Sequence, residues 1–222
     1  MSTIVNNFIK EHFENLRLKP ALFYAWDFGI RFEFALPGAA HEDPKNLTQI
    51  EERSTTIFKQ VFQDSDELLL IMDIHCEKED TFLQKRPIKV YQKYVKSTAL
   101  LAKLQHTILP SQTWHEEDEG YEAMVTHRFV LPCQTKDIHY RQLLAAISHE
   151  DFPHPTRILK NLCRPGYDIF LVNKTRTMVY HLYDDRGCDV IASRKEDLRQ
   201  LYKDCIEWIL DYDREQIDLL FK

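Results

Sequence analysis

Hydrophobic and polar positions along the chain switch between two periods. Val5, Phe8, Ile9, His12, Phe13 and Leu16 recur at helical spacing, which predicts an amphipathic opening helix closed by the turn-forming region around Pro20. The next stretch, FGIRFEFAL, alternates instead. Ile30, Phe32, Phe34 and Leu36 are interleaved with Arg31, Glu33 and Ala35, the pattern of a strand with one wet face, and Pro37 and Gly38 end it. Asn46 is a candidate cap for a helix carrying Leu47, Ile50, Ser54, Ile57, Phe58 and Val61 on one side, and LLLIMDI then predicts a buried strand.

Further on, the charged run from Glu77 to Arg86 looks like a connection. IKVYQKYV fits strand and helix equally, and Ser97 to Gln105 looks helical. PSQTWHEEDEG is an acidic loop, and YEAMVTHRFVLPC behind it alternates well enough to form a strand. Asp137 is then expected to cap a helix through Leu143, Leu144 and Ile147, ending before Pro153.

The last third of the chain is the most regular. YDIFLV, NKTR, TMVYHLY, DDRG and CDVIAS predict a meander of three strands and two tight turns. Ser193 with Glu196 suggests a capping box opening a helix with Leu198, Leu201, Tyr202, Cys205, Trp208 and Ile209 on one face. A final helix from Asp213 would bury Ile217, Leu220 and Phe221. Helices and strands mix without regular alternation, so the expected class is α+β. We expect a mixed, largely antiparallel sheet packed with several helices, in a single domain spanning 1–222, of which 166–222 is the clearest part.

Composition narrows the function classes. The 222 residues carry a net charge of -6, which gives no general attraction for nucleic acid or anionic lipid and suits a basic protein partner instead. No apolar run is long enough to span a bilayer. The five cysteines form no Cys-x-x-Cys pair, which argues for reduced thiols and a cytoplasmic setting. Ten histidines include no pair at the spacing of a zinc site, and neither a metal nor a cofactor is expected. The HEEDE run at 115 to 119 reads as a solvated loop or, less simply, as a docking surface for that basic partner.

One stretch concentrates candidate chemistry. YHLYDDRGCDVI sets Asp184, Asp185 and Asp189 within six residues, close enough to hold a hard cation, with Arg186 available for a phosphate group. Turn chemistry explains the same residues more simply. An aspartate opening a turn accepts backbone N–H groups, and Gly187 would supply a positive φ. A Cys188/His181 catalytic pair is weaker still, because a thiol at a strand start is usually a small buried hydrophobe. A second cluster, WILDYDRE, places Asp211, Asp213 and Arg214 at the junction of the last two helices, with Asp213 and Gln216 as a cap-like pair. We expect the clusters to meet, with Arg186 pairing Asp211 or Asp213 and pinning the hairpin tip to the helix end.

LFYAWDFGIRFEFAL, HLYDDRGCDVIA and LYKDCIEWILDYDREQID resemble an uncharacterised bacterial family, a domain of unknown function frequent in spore-forming Gram-positive species. The resemblance covers nearly the whole chain and implies a small soluble bacterial protein, with no activity to carry over. Cys205 and Ile206 stand where the family pattern suggests a Tyr-Asn pair. The reading that follows is a non-enzymatic protein-interaction module, in concrete form an immunity- or inhibitor-type protein. The alternative is a metal-dependent enzyme using Asp184, Asp185 and Asp189 on a small phosphorylated compound.

Overall fold

The computed structural model describes residues 4–14, 16–80, 83, 89–112, 123–150, 152 and 166–222. Among the described residues there are seven strands, β1 Gly29–Glu33, β2 Glu67–Glu77, β3 Gln105–Pro110, β4 Met124–Gln134, β5 Tyr167–Asn173, β6 Met178–Leu182 and β7 Gly187–Ala192. They form one sheet in the order β1-β7-β6-β5-β2-β4-β3, with every neighbouring pair antiparallel. Among the described residues the bounded α-helices are α1 Ile4–His12, α2 Leu22–Ala25, α3 Pro44–Val61, α4 Lys89–Gln92, α5 Tyr140–Ile147, α6 Lys195–Asp204 and α7 Arg214–Phe221. The class is α+β, and the C-terminal part is the expected three-strand meander followed by helices.

Long apolar strands end up inside because both faces of the sheet are covered. β2 is buried from Leu68 to Cys76 without a break, and every residue of β6 and β7 is buried. On one face α3, α5, α6 and α7 bring Phe58, Leu144, Leu198 and Ile217 onto Leu70, Met72, Leu171 and Tyr180. On the other, α1 brings Val5, Phe8 and Ile9 onto Leu69, Ile71, Phe170, Val172 and Val179. The outer edge of β1 is covered as well. Phe32 bridges to Ile209, and the Leu210 N–H donates to the Arg31 carbonyl at 3.1 Å.

Several local expectations are corrected. Asp43, not Asn46, caps α3, accepting the Lys45 N–H at 2.8 Å with Pro44 opening the helix. Asn46 is buried one turn in, where its side chain accepts the Leu36 N–H at 2.7 Å. Asp137 closes a short turn by accepting the Gln134 N–H at 2.9 Å, and α5 begins after His139 instead. Ser193 and Glu196 form no capping box. The Ser193 hydroxyl is engaged 2.7 Å from Thr177 Oγ1, and α6 starts after Arg194 without a side-chain cap. Asp213 precedes α7 without capping it. Thr98–Lys103 is a 3-10 turn, and Gln105–Pro110 behind it is a strand that the hydrophobic pattern did not predict. The HEEDE run and Cys163 lie outside the described residues.

Candidate functional site

The β6–β7 turn is built by Asp184. Its Oδ1 accepts the Arg186 N–H at 2.8 Å, and its Oδ2 accepts the Arg186 guanidinium through Nε at 2.8 Å and through Nη2. Gly187 is the first residue of β7 and is extended, so it does not provide the positive φ expected of it. Its lack of a side chain matters for another reason. A Cβ there would lie 2.0 Å from the Phe32 carbonyl oxygen and 2.8 Å from the Tyr183 hydroxyl. The turn can close onto β1 only because this position is bare, and the Phe34 N–H then donates to the Arg186 carbonyl at 2.7 Å.

The three carboxylates of the cluster take three separate partners. Asp184 holds Arg186, as above. Asp185 Oδ2 accepts His41 Nδ1 at 2.9 Å, while His41 Nε2 lies 3.2 Å from His149 Nδ1 and its ring stacks on Phe152. Asp189, fully buried on β7, accepts Arg31 Nε at 2.7 Å, Arg31 Nη2 at 3.0 Å and the Phe23 N–H at 3.2 Å. Burial works against the Arg31 charge, but the Asp189 hydrogen bonds and attraction outweigh it and hold its pKa above the usual guanidinium value.

The two sequence clusters do meet, through a residue other than the expected one. Arg186 donates to Asp184. Asp211 is held by Arg214 Nε at 2.9 Å, and Asp213 accepts the Tyr24 hydroxyl at 3.0 Å and stands 3.9 Å from Arg31 Nη1. Arg31 is therefore the bridge, with Tyr24 and Tyr183 ringing its guanidinium. Arg214 also donates to the Ile206 and Ile209 carbonyls, at 3.0 and 2.8 Å, fastening the helix junction from within.

Arg31 and Asp189 open a line of polar side chains across the face that α1 covers in part. His181 on β6 stands opposite Asp189 and is fully buried, stacked on Phe170, with neither ring nitrogen hydrogen-bonded. Its Nε2 lies 3.3 Å from Asp168 Oδ1. The other oxygen of Asp168 takes His75 Nε2 at 2.8 Å, and His75 Nδ1 lies 2.9 Å from Thr126 Oγ1. Burial pushes the Asp168 carboxyl upward, but His181 and His75 outweigh it and bring its pKa down to about 2. Opposite Asp168 on β2, Asp73 accepts Arg128 Nε at 2.8 Å and Nη2 at 2.5 Å, and Arg128 also donates to the Leu18 carbonyl at 2.9 Å.

Of this line the sequence had singled out Asp189 and His181 as candidates, but not Arg31, Asp168, Asp73 or Arg128. The signal was present in LLLIMDIHC, VTHRF and YDIF, where polar residues interrupt apolar strands. Their common face becomes visible only once the strand register is known. Cys188 and His181 stand on opposite faces of the sheet, since Cys188 pairs with Leu182 and His181 with Asp189, and burial drives the Cys188 thiol pKa well up. That removes the catalytic pair. Among the described residues no three His, Cys, Asp or Glu side chains are grouped to hold a metal ion.

Beside the Arg31 pair lies a cleft of about 470 Å³. Arg31, Glu33 and Ala35 form one side, Tyr183 and Arg186 another, and Pro20, Ala21 and Leu210 the apolar walls. Ala21 lines it in the left-handed conformation, with φ 61°.

An antiparallel seven-stranded sheet clad by helices on both faces, with a β-hairpin locked to its edge strand by a buried arginine-aspartate pair, defines an α+β domain. The chain belongs to the family described as a domain of unknown function, DUF3885, which matches residues 5–213. It is 30% identical over 217 residues to the uncharacterized protein YnaE of Bacillus subtilis (strain 168), covering 92% of this chain and 96% of that one. No solved structure matches it. No described helix is long and apolar enough to cross a membrane.

Proposed function

We propose that this protein is a non-enzymatic interaction module that engages a basic protein partner, in the manner of an immunity or inhibitor protein, through the cleft beside the hairpin. The observation that carries this reading is the separate engagement of Asp184, Asp185 and Asp189 by Arg186, His41 and Arg31, which leaves the three carboxylates facing different ways. The alternative on the same residues needed them to share one cation. The neighbouring cleft offers tyrosine and arginine side chains beside apolar walls, the residue types that dominate binding energy at protein interfaces. The net charge of -6 favours a basic surface opposite.

The test compares tagged wild-type protein with Ala35→Arg, which fills the cleft and touches none of the ion pairs. A Bacillus lysate passed over both, followed by quantitative mass spectrometry, should yield a basic protein retained by the wild type and lost by the variant. Equal recovery on both would overturn the reading. A Mg²⁺- or Mn²⁺-dependent rise in Tm abolished by Asp185→Ala would overturn it in favour of a metal-dependent enzyme.

A further inference from the structure

We infer that the cleft takes an extended, lysine- or arginine-bearing segment of the partner, with its cationic side chain on Glu33 and a backbone carbonyl on Tyr183 and Arg31; this rests on the interaction reading above. The geometry comes from the sheet register. Glu33 on β1 stands opposite Gly187 on β7, and the Tyr183 N–H donates to the Gly187 carbonyl at 3.3 Å. Glu33, Gly187 and Tyr183 therefore form one cross-strand row on one face of the sheet. The middle position has no side chain and lies beneath the Tyr183 hydroxyl, and the Glu33 and Tyr183 side chains line the same cleft.

The chemistry comes from which groups around the cleft already have partners. Asp189 is held by Arg31, Asp184 by Arg186, Asp211 by Arg214, and Asp213 by Tyr24. Arg53, at the outer side, donates to the Glu33 carbonyl at 2.7 Å and covers the Trp208 ring. Among the described residues the Glu33 carboxylate has no hydrogen bond and no close ion pair, with Arg53 attracting it only from further off, the Tyr183 hydroxyl donates no hydrogen bond, and Arg31 Nη1 has only the long 3.9 Å pairing with Asp213. The set left without a close hydrogen-bond partner is thus one anion and two donors.

An anionic ligand would place a second negative charge beside Asp189 and Asp213, where Arg31 is already neutralised. A neutral carbonyl accepts from Tyr183 and Arg31 without that repulsion, and a cationic side chain a residue away neutralises Glu33. A basic segment of extended chain presents both groups at once, between walls that suit its aliphatic stems.

Fluorescein-labelled hexapeptides of alternating alanine and lysine, and of alternating alanine and glutamate, serve as probes by anisotropy at low and physiological salt. The lysine peptide should bind the wild type, more weakly as salt rises, and the glutamate peptide should not. Glu33→Gln should weaken the lysine peptide about tenfold, the loss of one charge-assisted hydrogen bond. Tyr183→Phe should weaken it about threefold without changing the preference, and Glu33→Lys should reverse the preference. No binding of the lysine peptide up to millimolar concentration, or equal binding by wild type and Glu33→Gln, would overturn the inference. Retention of a captured partner by Glu33→Gln but not by Ala35→Arg would overturn it while the interaction reading stands. Failure of capture by the wild type would remove both.

Discussion

Arg31 and Asp189 face each other across β1 and β7 in a two-pronged ion pair whose carboxylate is wholly buried, and through this pair the hairpin, the edge strand and the N-terminal segment are joined. Taking two charges out of water is expensive, and the geometry here returns that cost through three hydrogen bonds to one carboxylate.

Removing one partner strands the other. Asp189→Ala is expected to destabilise by about 3–5 kcal/mol, read from the urea midpoint, because it leaves the largely enclosed guanidinium with only the distant Asp213 carboxylate to balance it. The double variant Arg31→Met with Asp189→Leu should recover most of that loss, and a double-mutant cycle gives the coupling directly.

The closeness of Gly187 to β1 makes it intolerant of any side chain. Gly187→Ala should cost about 2–3 kcal/mol, since the new methyl would meet a backbone carbonyl that cannot turn aside. Equal Tm for wild type and variant would contradict that close approach.

Arg186 is the opposite case. Its side chain is 74% exposed and its partner is two residues away, so Arg186→Ala should shift stability by less than about 1 kcal/mol. Tyr24→Phe, which removes the tie between α2 and Asp213, should cost about 1 kcal/mol. A larger loss for Tyr24→Phe than for Arg186→Ala is the order expected if the junction is tied through Tyr24 and Asp213 and not through Arg186.

Asp168 carries a pH signature. Its folded pKa of about 2 lies below the ordinary carboxylate value, so the stability it contributes is complete above the unfolded pKa. That stability, about 2 kcal/mol, is lost as the pH falls from about 4 towards 2. Urea midpoints measured through this window should fall more steeply for the wild type than for Asp168→Asn. Parallel slopes would argue against the assigned partners.

Much of this architecture was legible in the chain. The meander over Tyr167–Ala192, the buried run of β2 and the amphipathic helices follow from periods of two and 3.6, which report burial directly. β3 escaped because a short edge strand with alternate positions open to water has no buried face to pattern, and Pro110 ends it. Side-chain caps were misassigned where a residue suited to capping found a better partner in three dimensions, as Ser193 did in Thr177 and Asp213 in Tyr24, although the last helix does start after Asp213 as expected. The turn chemistry of Asp184 is local, so it could be read. The partners of Asp185 and Asp189 lie 144 and 158 positions away in sequence, and no local pattern encodes them.

The polar line across the sheet also restricts how the strands can assemble. An apolar strand tolerates sliding by two residues, because valine and isoleucine meet similar neighbours in either position. A slide of β4 along β2 by two would set Asp73 opposite Thr126 or Val130 in place of Arg128, and the same slip of β1 on β7 would set Arg31 opposite Gly187 or Ile191. Each misalignment buries a lone charge, so the charged residues act as keys that admit one alignment of these strand pairs and reject the alternatives during folding.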